Sequence, residues 1–192
     1  MTKERICNHS YHFSVFITGD ILIFKIKECE IEISFLFLLV LSVASLFGSS
    51  DVIYILIFSI LHELGHLICL IVCGGKPSKL TLSYYGFALK YESLFDTKKE
   101  ALVISGGCIM NLILYIFLKD KYNLVLFALN ILPIYPLDGG RIVMLYFPKI
   151  SKPLSIFMLC AASVASVYLL ITYKSFSLIL IVAYLAAYCV NY

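Results

Sequence analysis

The chain has 192 residues, 61% of them hydrophobic and 14% charged, with a formal net charge of +3 and a mean hydropathy of +0.97. A soluble globular domain is roughly half apolar and about a quarter charged, so this composition excludes one and points to a lipid bilayer. The Lys and Arg residues stand singly or in pairs between apolar runs and form no basic stripe, which excludes nucleic acid as a partner.

From the N-terminus, Met1-Thr2-Lys3-Glu4-Arg5 opens a segment that alternates polar with apolar residues to about Glu32. It lacks the continuous apolar core and small-residue cleavage site of a signal peptide. His12 to Glu32 carries two β-rich runs around the turn dipeptide Gly19-Asp20 and predicts a hairpin. Leu80 to Glu92 reads likewise around Gly86. Both hairpins are expected at or near the membrane surface, and His9 and His12 are expected to be solvated there.

A membrane helix needs about 20 mostly apolar residues to cross a hydrocarbon core of about 30 Å. Six segments qualify as candidates: Ile33 to Phe47, Val52 to Cys73, Ala101 to Leu118, Tyr122 to Leu137, Leu154 to Tyr173 and Phe176 to Val190. The first and fourth are short. Pro133 and Pro136 interrupt the fourth, because proline donates no backbone hydrogen bond, and such a break is tolerated at membrane depth only where protein or water satisfies the freed groups. The expected fold is therefore an all-α polytopic membrane protein of about six transmembrane helices with short membrane-associated β-hairpins. Residues 1–192 are read as one membrane-embedded domain, with 1–32 as a strand-like segment, 33–192 as the transmembrane region, and no CBS or PDZ domain.

Lys3, Arg5, Lys25, Lys27, the five lysines between Lys76 and Lys99, Arg141, Lys149 and Lys152 fall on one side of these spans. Only Lys119, Lys121 and Lys174 fall on the other. Cytoplasmic loops carry the excess of Lys and Arg, so the N-terminus, the end of the second span and the end of the fourth are expected in the cytoplasm. Odd in number, the seven cysteines imply no disulfide framework. Five of them, Cys69, Cys73, Cys108, Cys160 and Cys189, lie in apolar stretches, where a free thiol behaves as a small hydrophobe.

Glu63 is the only acidic residue well inside a predicted span, and ionisable groups inside a membrane are costly enough to be functional by default. His62 and His66 flank it at positions i and i+4 of a helix, which share a face. Two imidazoles so spaced can bind one zinc while the intervening carboxylate acts on water, the mechanics of His-Glu-x-x-His hydrolases. Gly65 leaves room for a close approach of another backbone. The plainer reading is a buried polar cluster that only cross-links helices. Catalytic zinc takes three protein ligands as a rule, and Asp138 is the best third candidate. It follows Pro133 and Pro136 and precedes Gly139-Gly140, a pair that permits a tight turn. Its plainer role is to cap the next helix with Arg141 as partner. Cys69 and Cys73 share the face of His66, but four ligands along one helix would stretch over more than about 15 Å, so both read as packing residues. Asn111 and Asn130 are polar in apolar surroundings. Hydrogen bonding between helices is the default for both, and holding substrate or a zinc ligand is the functional option.

These residues together resemble the site-2 protease family of intramembrane zinc metalloproteases. His62-Glu63-Leu64-Gly65-His66 matches its first motif, and Asn130 to Gly140 matches its Asn-x-x-Pro-x-x-Pro-Leu-Asp-Gly-Gly pattern. Ser105 to Asn111 is similar to its Ala-Gly-Pro-x-x-Asn segment, with Cys108 where Pro is usual, a departure expected to touch no ligand. Tyr84-Tyr85-Gly86-Phe87, with no inserted PDZ domain, looks most like the sporulation-type branch, which cleaves a membrane-associated sigma-factor precursor. The resemblance implies one zinc ion on His62, His66 and Asp138 and Glu63 as general base. Asn130, Asn111, Gly86, Phe87, Pro133 and Pro136 are expected to bind substrate or support the site. Expected partners are a membrane-associated protein substrate, the lipid bilayer and membrane regulatory proteins, in a bacterial cell membrane with the active site nearer the cytoplasmic face. A catalytically silent scaffold of the same fold is the rival. A metal transporter is the third option, and it would need more intramembrane carboxylates than Glu63 and Asp138.

Overall fold

A computed structural model describes residues 13–18, 21–26, 29–34, 42, 50–83, 86–91, 96–174 and 177–190. The chain forms two compact units, one of residues 1–53 and 76–92 and the other of residues 54–75 and 93–192.

The first unit holds a five-stranded sheet in the order β1-β2-β3-β4-β5. Strands β1 (Phe13–Thr18), β2 (Ile21–Ile26) and β3 (Cys29–Ser34) pair as an antiparallel meander. β4 (Pro77–Ser83) lies parallel to β3 and antiparallel to β5 (Gly86–Tyr91). The two predicted hairpins are thus parts of one sheet, joined through the β3–β4 pairing. In β3 the sequence Cys-Glu-Ile-Glu-Ile-Ser alternates charged and apolar residues, which suits a strand with two unlike faces. Lys79 Nζ reaches Glu32 Oε1 at 2.8 Å across the β3–β4 pair. β3 also takes Ile33 and Ser34 out of the first predicted span, most of which lies outside the described residues.

Among the described residues three helices are long and apolar enough to cross a membrane: α1 (Ser50–Val72), α2 (Thr97–Leu118) and α5 (Pro148–Tyr173). Phe117, Ile71, Val164 and Ile171 are among their many exposed apolar side chains, which suits a surface bathed in lipid rather than water. The chain is an integral membrane protein, mostly helical with a small sheet. The sequence pattern predicted six spans. Its fourth segment folds instead as α3 (Lys121–Asn130) followed by turns from Ile131 to Leu137, and ten helical residues rise only about 15 Å. Its sixth folds as α6 (Ser177–Val190), a helix of 14 residues.

α2 starts on Asp96, whose side chain accepts a hydrogen bond from the Lys99 amide at 2.8 Å, and ends on Lys119 in the left-handed conformation. Asp120 caps α3 in the same way through Asn123. Lys121 Nζ lies 4.9 Å from the centre of the Tyr122 ring, and the Tyr122 and Tyr54 rings stack at 5.8 Å. Basic and aromatic side chains at the α2–α3 junction match the preferred composition of a membrane–water interface.

Candidate metal centre

α1 and α2 cross at glycines. A methyl group on Gly65 would strike the backbone oxygen of Gly106, and one on Gly106 would strike that of Gly65. Small residues let helices approach this closely in lipid, where no hydrophobic force draws them together. On either side of the crossing α1 presents His62 and His66, one turn apart, and α2 presents Val103, Gly107 and Asn111 at four-residue spacing. A methyl group on Gly107 would strike both imidazoles, so only glycine leaves space for the two rings at that point.

Each ring is held by the nitrogen it turns away from its neighbour. His66 Nδ1 lies 2.8 Å from the Val103 carbonyl oxygen. The Gly107 amide also approaches that nitrogen, at 3.3 Å. The shorter contact decides, since a carbonyl oxygen only accepts, and it puts the ring proton on Nδ1. His62 Nδ1 lies 3.0 Å from the side-chain amide of Asn111. The rings meet edge to face, with their Nε2 atoms 3.1 Å apart.

The third member comes from the segment the prolines interrupt. After α3 the chain turns through Pro133 and the cis Tyr135-Pro136 bond into α4 (Asp138–Tyr146). A methyl group on Gly139 would strike the Ile131 carbonyl, and one on Gly140 would strike Ile134, so the glycine pair lets the start of α4 pack on its own incoming loop. Ile134 is fully buried beside Leu185 and Cys189 of α6 and anchors that loop. Asp138 therefore opens α4, where the helix dipole favours a carboxylate. Its Oδ2 lies 3.1 Å from His62 Nε2 and 3.2 Å from His66 Nε2. Arg141 Nη1 stands 3.7 Å from the other oxygen.

Three buried donor atoms thus form a triangle with edges of 3.1, 3.1 and 3.2 Å. A tetrahedral ion about 2.0–2.1 Å from nitrogen and oxygen ligands needs donors about 3.3 Å apart, so the triangle fits zinc. With its proton on Nδ1, His66 presents a lone pair at Nε2, and where His62 does the same the three facing atoms all carry lone pairs that a cation or shared protons hold this close. Glu63 contributes a carboxylate oxygen within 4.8 Å of a ring nitrogen of each histidine. Glu63 thus lies beside the triangle that Asp138 closes.

The remaining predicted residues are more dispersed. The Asn130 amide donates to the Leu126 carbonyl within its own helix at 3.0 Å. Pro133 offers its carbonyl to Ser155, and Gly86 and Phe87 open β5 in the sheet unit. Cys69 packs its sulfur against Gly106, as expected of a packing residue. Cys108, by contrast, does touch an expected ligand: its Sγ lies 3.7 Å from Asp138 Oδ2, because one more residue along α2 from Gly107 turns the side chain toward α4. Val103 and Gly107 were not anticipated. A glycine pair inside an apolar helix was the available signal, since it marks a close approach.

No family model matches the chain. Its structure superposes on the solved site-2 protease from Methanocaldococcus jannaschii with a TM-score of 0.60 over 94% of each chain, at 21% sequence identity. The chain has the site-2 protease fold. In sequence it is similar to stage IV sporulation protein FB of Bacillus subtilis (strain 168), at 27% identity over 113 residues. That alignment covers 50% of this chain and 39% of the relative. Within the site-2 protease fold, the histidines sit on α1 and the aspartate opens α4.

Proposed function

We propose that this protein is an intramembrane zinc metalloprotease of the site-2 protease family, with one zinc held by His62, His66 and Asp138 and Glu63 as general base. The observation that carries the reading is the convergence of three donor atoms within 3.2 Å of one another, with a fourth, acidic side chain beside them. Bound there, zinc would polarise a peptide carbonyl and lower the pKa of water to about 7. Glu63 takes the proton of the attacking water and returns it to the leaving amine. The α1–α2 crossing and the fully buried loop residue Ile134 hold the three donors in place before substrate arrives.

The substrate is a membrane-associated protein whose scissile segment unwinds to expose its carbonyls. β5 ends the sheet order among the described residues, and an extended substrate adds to its outer side as a further strand. The distribution of Lys and Arg supports a cytoplasmic N-terminus and a site nearer that face. Similarity to a sporulation protein supports a substrate of the sporulation type, a sigma-factor precursor in the first instance. The 192 residues act as one protease domain. An intact Glu63 argues against a silent scaffold, which needs no base.

The test is the purified chain in detergent with a membrane-linked model substrate. Glu63→Gln retains zinc and lowers cleavage by about 10²–10⁴-fold. Cleavage that survives the substitution sinks the base assignment, and a wild-type chain that takes up no zinc sinks the metalloprotease.

A further inference from the structure

We infer that Asn111 is a positioning residue that accepts the His62 Nδ1 proton on its side-chain oxygen and so leaves His62 Nε2 free to hold the metal. This rests on the zinc reading of the site above. Asn111 is fully buried on α2, and its side-chain nitrogen as drawn lies 3.0 Å from His62 Nδ1, while its Oδ1 has no partner. In that orientation the amide donates to Nδ1, the ring proton must sit on Nε2, and it points into the cluster at His66 Nε2 and Asp138 Oδ2. A ring so protonated is no ligand.

The nitrogen and oxygen of a side-chain amide exchange places by a half-turn, and only the hydrogen-bond network tells them apart. Turned over, the unpartnered oxygen meets the Nδ1 proton and the amino group takes the position the oxygen held. The neighbouring ring supplies the precedent on the same helix face. His66 Nδ1 donates to a carbonyl that only accepts, at Val103, eight residues before Asn111 and with the ring-clearing Gly107 midway. The α2 stripe of Val103, Gly107 and Asn111 thereby sets both imidazoles to the same tautomer, with both Nε2 atoms turned to Asp138. Second partners of this kind fix the ring and raise its basicity as a ligand.

Two variants of the full chain separate this role from packing. Asn111→Asp keeps an acceptor and removes the donor, whereas Asn111→Leu keeps similar bulk and removes both. With ¹⁵N-histidine labelling, the metal-free wild type and Asn111→Asp show a protonated His62 Nδ1, assigned by its loss in His62→Gln. Titrated with zinc against a competing chelator, Asn111→Asp stays within about tenfold of wild type, and Asn111→Leu binds about 10–100-fold more weakly. A wild-type His62 Nδ1 without a proton overturns the inference, as does unchanged zinc affinity in Asn111→Leu. Thermal unfolding identifies a Leu chain that fails to fold. In that case a folded Asn111→Asp that has lost the Nδ1 proton and binds zinc poorly overturns the inference, and one that keeps both upholds it. A wild-type chain that binds no zinc refutes the metalloprotease instead, and the ring-proton measurement still decides the role of Asn111.

Discussion

Ser155 Oγ on α5 stands 3.1 Å from the backbone nitrogen of Tyr135 and 3.4 Å from the carbonyl oxygen of Pro133. A single buried hydroxyl accepts from one and donates to the other, and so satisfies backbone groups that the proline break frees in an apolar setting. Cys189 of α6 adds a thiol to the Tyr135 carbonyl at 3.3 Å. The loop that delivers Asp138 is thus tied down from two helices. Ser155→Ala removes both bonds, and leaving buried polar groups unpaired costs about 1–3 kcal/mol. Unfolding in detergent should show that loss, with zinc affinity reduced in step. Unchanged stability and affinity would show the loop to be held by packing alone.

Gly107→Ala should leave a folded helix and a ruined site. The added methyl meets both imidazoles, so the rings must turn away from Asp138. Overpacking of this kind costs about 1–3 kcal/mol, whereas metal analysis of the purified variant should find almost no zinc.

Asp138→Asn should separate ligation from local structure. The amide keeps the size of the side chain and its place at the start of α4 but loses the charge that makes it a ligand. Zinc content should fall well below that of Glu63→Gln, with the melting temperature of the metal-free protein changed by only a few degrees. Lower zinc content in Glu63→Gln than in Asp138→Asn would move the third ligand from Asp138 to Glu63.

Cys108 should tolerate serine better than proline. Cys108→Ser keeps a donor for Asp138 Oδ2, and its zinc affinity should stay within about threefold of wild type, given how little a weak S–H bond contributes. Cys108→Pro removes an interior helix hydrogen bond at about 3 kcal/mol or more, and a lowered unfolding midpoint would register it.

Much of the site was legible because its residues sit at fixed helical spacings. His62, Glu63 and His66 share one apolar segment, and the prolines and paired glycines around Asp138 announce a turn wherever they occur. Two segments carry detail that the hydropathy pattern does not resolve. Tyr122 to Leu137 is apolar enough for a span, yet Asn130 bonds back to Leu126 at the end of α3 and the prolines then stop the helix. Cys29 to Ser34 looked like the tail of a hairpin and the entry to a span, whereas it is the strand on which β4 pairs. Parallel pairing between residues some fifty positions apart leaves no local trace. Nor does the approach of Cys108 to Asp138, which depends on how α4 packs against α2.

The glycine crossing of α1 and α2 also limits how the molecule can move. Helices that touch through backbone atoms have no layer of side chains between them to compress, and the nearest side chains, Met110 and Cys69, already pack against the crossing. Motion that keeps this contact carries the two helices together, and an opening of the buried triangle that preserves it comes from elements other than this pair.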